Sequence, residues 1–172
     1  LLPVLLLFLT GTLETARYAL IHQKLDKAAY AMADFVTQGA TVQVADLQVF
    51  TDTIPQIMKP FSFGGTVIFS SVVFRDVPDT PCAGTTTSCI SWQYRPQGRE
   101  PSRIGAEGGV ASLQGGYSVL PEQNIIVAEL FMDYAPMLSI TGTLVPTLAP
   151  HAIYKMSVYK PRQGTLTTLG GR

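Results

Sequence analysis

The chain has 172 residues, with 12 basic and 12 acidic side chains and a formal net charge of zero. A balanced charge provides no field for a polyanion, so nucleic acid is not expected as a partner. Charged residues make up only 14% of the chain, which is low for a free soluble protein. The length accommodates one domain of about 130 residues together with a long helix.

The first 38 residues organise the rest of the chain. They begin with the apolar run LLPVLLLFLTGTL and contain neither Pro nor Gly between Gly11 and Gly39. Apolar residues then recur at spacings of three and four, which is the period of a helix. We predict one helix of roughly 35–38 residues, about 55 Å long at the usual rise per residue. Such a length suits a helix that leaves a membrane and enters a folded domain.

The apolar front of this helix, residues 1–13, is short for a membrane span. It covers about 20 Å, whereas the hydrocarbon core of a bilayer is about 30 Å thick. We therefore expect a few further residues to precede Leu1. Glu14 and Arg17 follow directly, three positions apart on one helix face, and can form an ion pair at the level of the lipid headgroups.

The two cysteines, Cys82 and Cys89, lie seven positions apart. We predict a disulfide that closes a small loop and contributes roughly 2–3 kcal/mol; two free thiols are the alternative. A zinc site would need two more ligands, and the chain contains only His22 and His151 as histidines. A disulfide would place the domain in an oxidising compartment.

The middle of the chain predicts a short helix over residues 44–61, with Asp46 as a cap, Pro55 as a kink or interruption and Pro60 as its end. Runs rich in Val, Ile and aromatic residues, bounded by Gly and Pro, then predict strands. The four predicted strands, expected to form an antiparallel meander, are residues 66–77, 90–95, 124–134 and 152–159.

Three segments lack such periodicity. Residues 99–116 are Gly- and Ser-rich and predict a long loop. Residues 139–150 are apolar but broken by Gly and Pro, and predict a loop that faces lipid, a partner or the core. The Gly- and Thr-rich tail after Arg162 is expected to be loose.

These elements predict an α+β fold in which the amphipathic C-terminal half of the first helix covers one face of a roughly four-stranded antiparallel sheet. The expected shape is an α+β domain from which the apolar N-terminal half of the helix projects into a membrane. We divide the chain into the N-terminal helix, residues 1–40, and an α+β head, residues 41–172.

The sequence carries no recognisable chemistry. It lacks a nucleophile motif of the G-x-S-x-G type and a phosphate-binding loop with its Lys, so we expect no enzyme and no catalytic, cofactor or metal site. Three carboxylates are expected to be solvated: Glu122, Glu129 and Asp133. Four aromatic residues are expected to form cross-strand pairs rather than a stacking platform: Trp92, Tyr94, Phe131 and Tyr134.

Several of these residues occur in an order that resembles the TadE/TadF-like proteins, the minor pseudopilins of the tight-adherence (Tad) pilus. The resemblance begins with an early Leu2-Pro3 and continues with Gly11, Glu14 and Arg17 at the family's spacing, followed by Leu25-Asp26. Ser91-Trp92-Gln93, residues 127–136 and the closing Lys160-Pro161-Arg162 also look like family segments, although the usual closing triplet is Arg-Pro-Arg.

The resemblance implies a pilin-like structural subunit in a bacterial inner membrane, with its head in the periplasm or, after assembly, on an extracellular pilus. Its expected partners are other pilin and minor pseudopilin subunits, the inner-membrane assembly platform and membrane lipid. Small residues such as Gly11 would let neighbouring helices approach closely. The alternative function is a membrane-anchored periplasmic or surface domain that binds or adheres, with a ligand surface on residues 99–116 and 139–150.

Overall fold

The structure is a computed structural model that describes residues 1–74, 88–117, 119–120, 123–137, 145–164 and 166–171. The helices are α1 (Leu2–Gln38) and α2 (Val44–Met58), with single 3₁₀ turns at Gln114–Gly116 and Pro146–Leu148. The strands are β1 (Val42–Gln43), β2 (Thr66–Phe74), β3 (Ser88–Gln97), β4 (Asn124–Tyr134), β5 (His151–Tyr159) and β6 (Leu169–Gly170).

The predicted N-terminal helix is confirmed as the unbroken α1 of 37 residues. Pro3 lies in its first turn, where the missing N–H has no intrahelical partner to lose. The helix ends before Gly39, whose backbone is extended.

Helix α2 differs from its prediction in two details. Gln43 rather than Asp46 caps it, and Asp46 completes a capping box by accepting the Gln43 N–H at 3.3 Å. Pro55 lies inside the helix and does not interrupt it, and α2 ends at Met58, shortly before the predicted end at Pro60.

The four long strands form one antiparallel sheet in the order β3-β2-β4-β5. The antiparallel sheet is confirmed, but the expected meander is wrong, because β4 pairs with β2 instead of β3. The long connection between β3 and β4 makes this order possible. It packs Ile104 and Val119 against Val72 and Val127 on the sheet face away from α1, so that the second face is also covered.

The main core lies between the other sheet face and the C-terminal half of α1. Buried residues recur along α1 at helical spacing: Ile21, Leu25, Ala28, Ala29, Met32, Ala33 and Val36. They pack with alternate residues of β4, among them Ile126, Ala128, Leu130 and Met132, and with Leu47, Ile54 and Met58 of α2. The predicted α+β architecture is therefore confirmed.

The C-terminal tail is not loose, contrary to expectation. Leu166 is buried, and its carbonyl accepts hydrogen bonds from Ser71 Oγ at 2.7 Å and from Trp92 Nε1 at 2.9 Å. Beyond it, β6 pairs in parallel with β1. The buried Ser and Trp donors need acceptors, and the tail supplies them.

The predicted disulfide cannot be followed in full, because Cys82 lies outside the described residues. Residues 75–77, the last three of the strand predicted over 66–77, also lie outside them. Cys89 is on β3, 1% exposed, and contacts Val73 of β2. The Cys82–Cys89 pairing remains a prediction.

Candidate functional site: the junction of helix and head

The N-terminal part of α1 has almost no contact with the head. Residues 1–13 include no buried side chain, and Leu9 and Leu13 are 50% and 62% exposed. In the part of the chain that the structure describes, α1 is the one helix long and apolar enough to cross a membrane. An apolar surface of this extent is unfavourable in water and suits lipid or other apolar helices.

Glu14 marks the change from the exposed half to the buried half. Its side chain is 3% exposed. The Tyr134 hydroxyl donates to Oε1 at 2.6 Å and the Met137 N–H donates to Oε2 at 3.0 Å. Arg17 Nη1 lies 2.9 Å from Oε1 and forms an ion pair with it. Both carboxylate oxygens are therefore occupied within the chain, and they join α1 to the end of β4. We call this group (Glu14, Arg17, Tyr134, Met137) the junction.

Arg17 strengthens the contact with the end of β4 and extends the junction to one more segment, the loop after α2. Its Nη1 also donates to the Ala135 carbonyl at 3.0 Å. Its guanidinium lies 5.7 Å from the centre of the Tyr134 ring and 5.9 Å from that of Phe61, within the range of cation–π attraction. The single side chain thus contacts the end of β4 and the loop after α2, and it restrains the direction in which α1 leaves the head.

Tyr134 is the head's main contribution to the junction. Burial, together with its hydrogen bond to the Glu14 carboxylate, raises the pKa of the Tyr134 phenol above its ordinary value. The hydroxyl therefore stays protonated at neutral pH and remains a donor. A hydroxyl that donates to an ionised carboxylate forms one of the stronger hydrogen bonds in proteins, so the helix and the head are held by a charge-assisted contact.

An aromatic cluster continues from the junction into the core. The ring of Tyr18 lies 4.4 Å from that of His22, 4.9 Å from that of Tyr134 and 5.8 Å from that of His151. His22 and His151 are far apart in sequence, yet both rings contact the ring of Tyr18. Among the described residues, no group of three or more His, Cys, Asp or Glu side chains could hold a metal ion.

A groove runs along the exposed half of α1 next to the junction. Its volume is about 570 Å³. A Cβ placed on Gly11 would meet no atom within 4 Å, so Gly11 opens onto free space within this chain. The described residues that line the groove are Leu7, Phe8, Thr10, Gly11, Thr12, Thr15, Ala16, Ala19, Val145 and Leu148.

A second carboxylate, Glu129, was expected to be solvated, and this expectation is wrong. It is fully buried on the sheet face away from α1, and it accepts hydrogen bonds from Ser102 Oγ, the Arg103 N–H and the Tyr154 hydroxyl. The long connection after β3 supplies two of these donors and covers the carboxylate. Burial and the neighbouring Glu129 raise the pKa of Tyr154. Glu129 therefore fixes the connection to the sheet.

The two other carboxylates of that set differ from Glu129. Asp133 is exposed, as expected, and Glu122 lies outside the described residues.

The four aromatic residues have mixed outcomes. Phe131 faces Tyr154 across β4 and β5, with ring centres 4.9 Å apart, and this cross-strand pair is confirmed. Tyr134 pairs with His151 in the same register but directs its hydroxyl to Glu14. Trp92 lies opposite Ser71. Tyr94 lies opposite Phe69 across β2 and β3, as expected of a cross-strand pair, and its hydroxyl donates to Gln48 of α2.

Sequence reasoning selected Glu14 and Arg17 but missed Tyr134 and Met137 as their partners. The residues are more than a hundred positions apart, and periodicity does not pair distant segments.

The fold and the junction fit a membrane-associated α+β protein, in which the one described helix long and apolar enough to cross a membrane also contributes to the main core. Residues 1–34 match the family model of the TadE-like proteins, which confirms the resemblance over the segment that contains Gly11, Glu14 and Arg17. The match covers 34 of the 172 residues, so it shows that this N-terminal segment is TadE-like. Comparisons with curated proteins and with solved structures gave no match.

Proposed function

We propose that this chain is a minor pilin, a structural subunit that takes part in assembly or initiation of a Tad pilus through α1. The TadE-like match over residues 1–34 carries the proposal. The N-terminal half of α1 would hold the subunit in the bacterial inner membrane with its head in the periplasm, and would later lie within the extracellular pilus.

The exposed half of α1 supports this role. A filament needs a contact between different surfaces of successive subunits, one that does not close on itself. A projecting apolar rod provides such a contact, and small residues on it permit close helix packing. The proposed partners are therefore other pilin and minor pseudopilin subunits, together with the assembly platform in the membrane.

The junction supports the role in a second way. Glu14 and Arg17 tie α1 to the end of β4 just where the buried half begins. A fixed angle between rod and head would place successive heads at a constant orientation around the filament. The proposal assigns the chain this mechanical role and no catalytic reaction.

The alternative function is a membrane-anchored binding or adhesive domain. One observation favours it: Val110, Tyr117 and Leu120 on the long connection are 55%, 70% and 59% exposed. Exposed apolar and aromatic side chains of this kind are common in ligand surfaces.

Deletion of residues 1–13 tests the proposal against this alternative. We expect the truncated protein to fold, because the core lies beyond residue 13, but no longer to co-purify with pili. The matched control is the triple change Val110→Ser, Tyr117→Ser and Leu120→Ser, which should still co-purify. Co-purification of the truncated protein with pili would contradict the proposal. Loss of co-purification in the triple variant alone would favour the adhesive domain.

A further inference from the structure

We propose that the head itself rests on the bilayer, and that a lipid acyl chain fills the groove between α1 and residues 145–148 while the subunit is held in the membrane. The surface concerned, which we call the underside, consists of Met137, Val145 and the groove walls. This inference rests on the membrane insertion of α1 in the proposed function, and goes beyond it by assigning a lipid contact to the head.

The level of the underside follows from the junction. The Met137 N–H donates to Glu14 Oε2 at 3.0 Å, which fixes Met137 beside the residue that follows the apolar run. Its side chain is 75% exposed. A large apolar side chain at the point where α1 leaves the bilayer lies at the lipid surface, so the head brings its own apolar contact to that surface.

Val145 reaches the same region from another segment. It is 44% exposed and lines the groove together with Leu7, Phe8 and Gly11 of α1. Leu148, which is only 3% exposed, packs in the main core and holds this segment against α1. The groove therefore has one wall from the anchor helix and one from the head, and both are apolar.

The polar atoms of the groove walls do not require water. Thr10 Oγ1 donates to the Leu6 carbonyl at 2.9 Å, Thr12 Oγ1 to that of Leu9 at 2.8 Å and Thr15 Oγ1 to that of Gly11 at 2.8 Å. Each hydroxyl is thus satisfied within the helix, as a hydrocarbon environment demands. No described residue that lines the groove is charged.

These properties favour lipid over water or a polar ligand. Most of the α1 wall, from Leu7 to Thr12, belongs to the segment that enters the membrane, so the medium into which this part of the groove opens is hydrocarbon. The volume of about 570 Å³ lies in the range of small-molecule sites. An acyl chain fills such a groove without any hydrogen bond, whereas a polar ligand would find no free hydroxyl donor on Thr10, Thr12 or Thr15.

Fluorescence quenching by phosphatidylcholine vesicles with brominated acyl chains tests the inference on the full-length protein. The reporter is Val145→Trp, at a position that is 44% exposed and lines the groove. Leu9→Trp is the control inside the bilayer, and Val110→Trp, on the long connection, is the control outside it. Trp92 is 2% exposed and bonded to Leu166, and supplies a constant background in all three.

We expect Val145→Trp to lose most of its added fluorescence, as Leu9→Trp does, while Val110→Trp keeps its own. Adding Gly11→Leu to Val145→Trp fills the groove from its free side and should reverse much of the quenching. If Leu9→Trp is quenched and Val145→Trp is not, this inference is wrong and the proposed function stands; a neighbouring copy's helix in the groove would give that result. If neither Leu9→Trp nor Val145→Trp is quenched, α1 does not insert into the membrane, and both the inference and the proposed function are wrong.

Discussion

The two halves of α1 share one unbroken helix but have opposite surroundings. Up to Leu13 no side chain is buried, whereas from Glu14 onwards nine are. Leu9 is 50% exposed and Leu25 is fully buried, although both are leucines in the same helix. The comparison shows that hydrophobicity alone does not assign a helix to a core or to a membrane. What differs is the spacing: apolar residues are continuous before Glu14 and periodic after it.

The largest expected effect comes from a matched pair of substitutions, one in each half. Leu25→Ala should lower the free energy of unfolding by about 2–5 kcal/mol, because it leaves a cavity in a fully buried site. Leu9→Ala should change it by less than about 0.5 kcal/mol, as is usual for surface positions. Denaturant titration of the detergent-solubilised protein measures both. Equal effects would mean that the two halves are not distinct.

The junction should show the next largest effect. Glu14→Gln keeps the shape of the side chain but removes the charge that Arg17 and Tyr134 contact, at an expected loss of about 1–3 kcal/mol. Tyr134→Phe should cost a similar amount. Because the two residues share one hydrogen bond, the double variant should lose clearly less than the sum. Simple additivity in this cycle would refute a direct Glu14–Tyr134 contact.

Assembly offers a further readout on Glu14→Gln. If Glu14 also sets the register between neighbouring helices, pilus formation should fall more than stability does. Equal losses would assign Glu14 to the junction alone.

The head should respond to alkaline pH through its buried tyrosines. The raised pKa of Tyr134 and Tyr154 in the fold means that the unfolded chain loses these protons first. Stability is therefore fully present below about pH 10, the ordinary tyrosine value, and declines above it. Tyr154→Phe should make that decline shallower. Denaturant titrations from about pH 9 to about pH 11, roughly one unit on either side of the ordinary tyrosine pKa, measure it. The exposed Tyr117→Phe is the control and should leave the slope unchanged.

The ion pair between Arg162 of the C-terminal tail and Asp34 of α1 should contribute less to the free energy of unfolding. The Arg162 guanidinium pairs with Asp34, and the Arg162 backbone N–H donates to the Thr37 carbonyl at 3.0 Å. Arg162→Ala removes only the ion pair, whose arginine is 61% exposed, so the expected loss is about 0.2–1 kcal/mol and falls with added salt. A loss that is independent of salt would show that packing, and not charge, holds the tail.

Gly11→Ala should have the smallest effect and the opposite sign. The added methyl meets no atom within 4 Å, and Ala favours a helix over Gly by up to about 1 kcal/mol. A slight gain in helix stability by circular dichroism is expected. A clear loss would indicate that Gly11 is packed within the chain after all.

The sequence predicted the elements better than their arrangement. The unbroken period from Leu13 to Val36 gave α1, and the run NIIVAELFMDY gave β4 with both of its ends. These signals are local, since each is contained in one segment. The strand order was missed because it depends on where the long connection after β3 packs, and the Gly- and Ser-rich sequence of that connection shows no period.

The candidate site was predicted on one side only. Glu14 and Arg17 are neighbours on a helix face, so their pairing could be expected from their spacing. Their partners on β4 could not, because the contact spans 120 positions between Glu14 and Tyr134. The same reason applies to Glu129, whose burial depends on Ser102 and Arg103 of the connection, and to the tail, whose role depends on donors on β2 and β3.

Site-specific photo-crosslinking in pilus-forming cells tests the central claim most directly. A benzophenone amino acid replaces Leu9 in the exposed half of α1 in one strain and Tyr117 on the head in another. The account predicts that position 9 crosslinks to the helix of another pilus subunit and that position 117 does not. Crosslinks from position 117 to a pilus subunit or a surface ligand, with none from position 9, would contradict it.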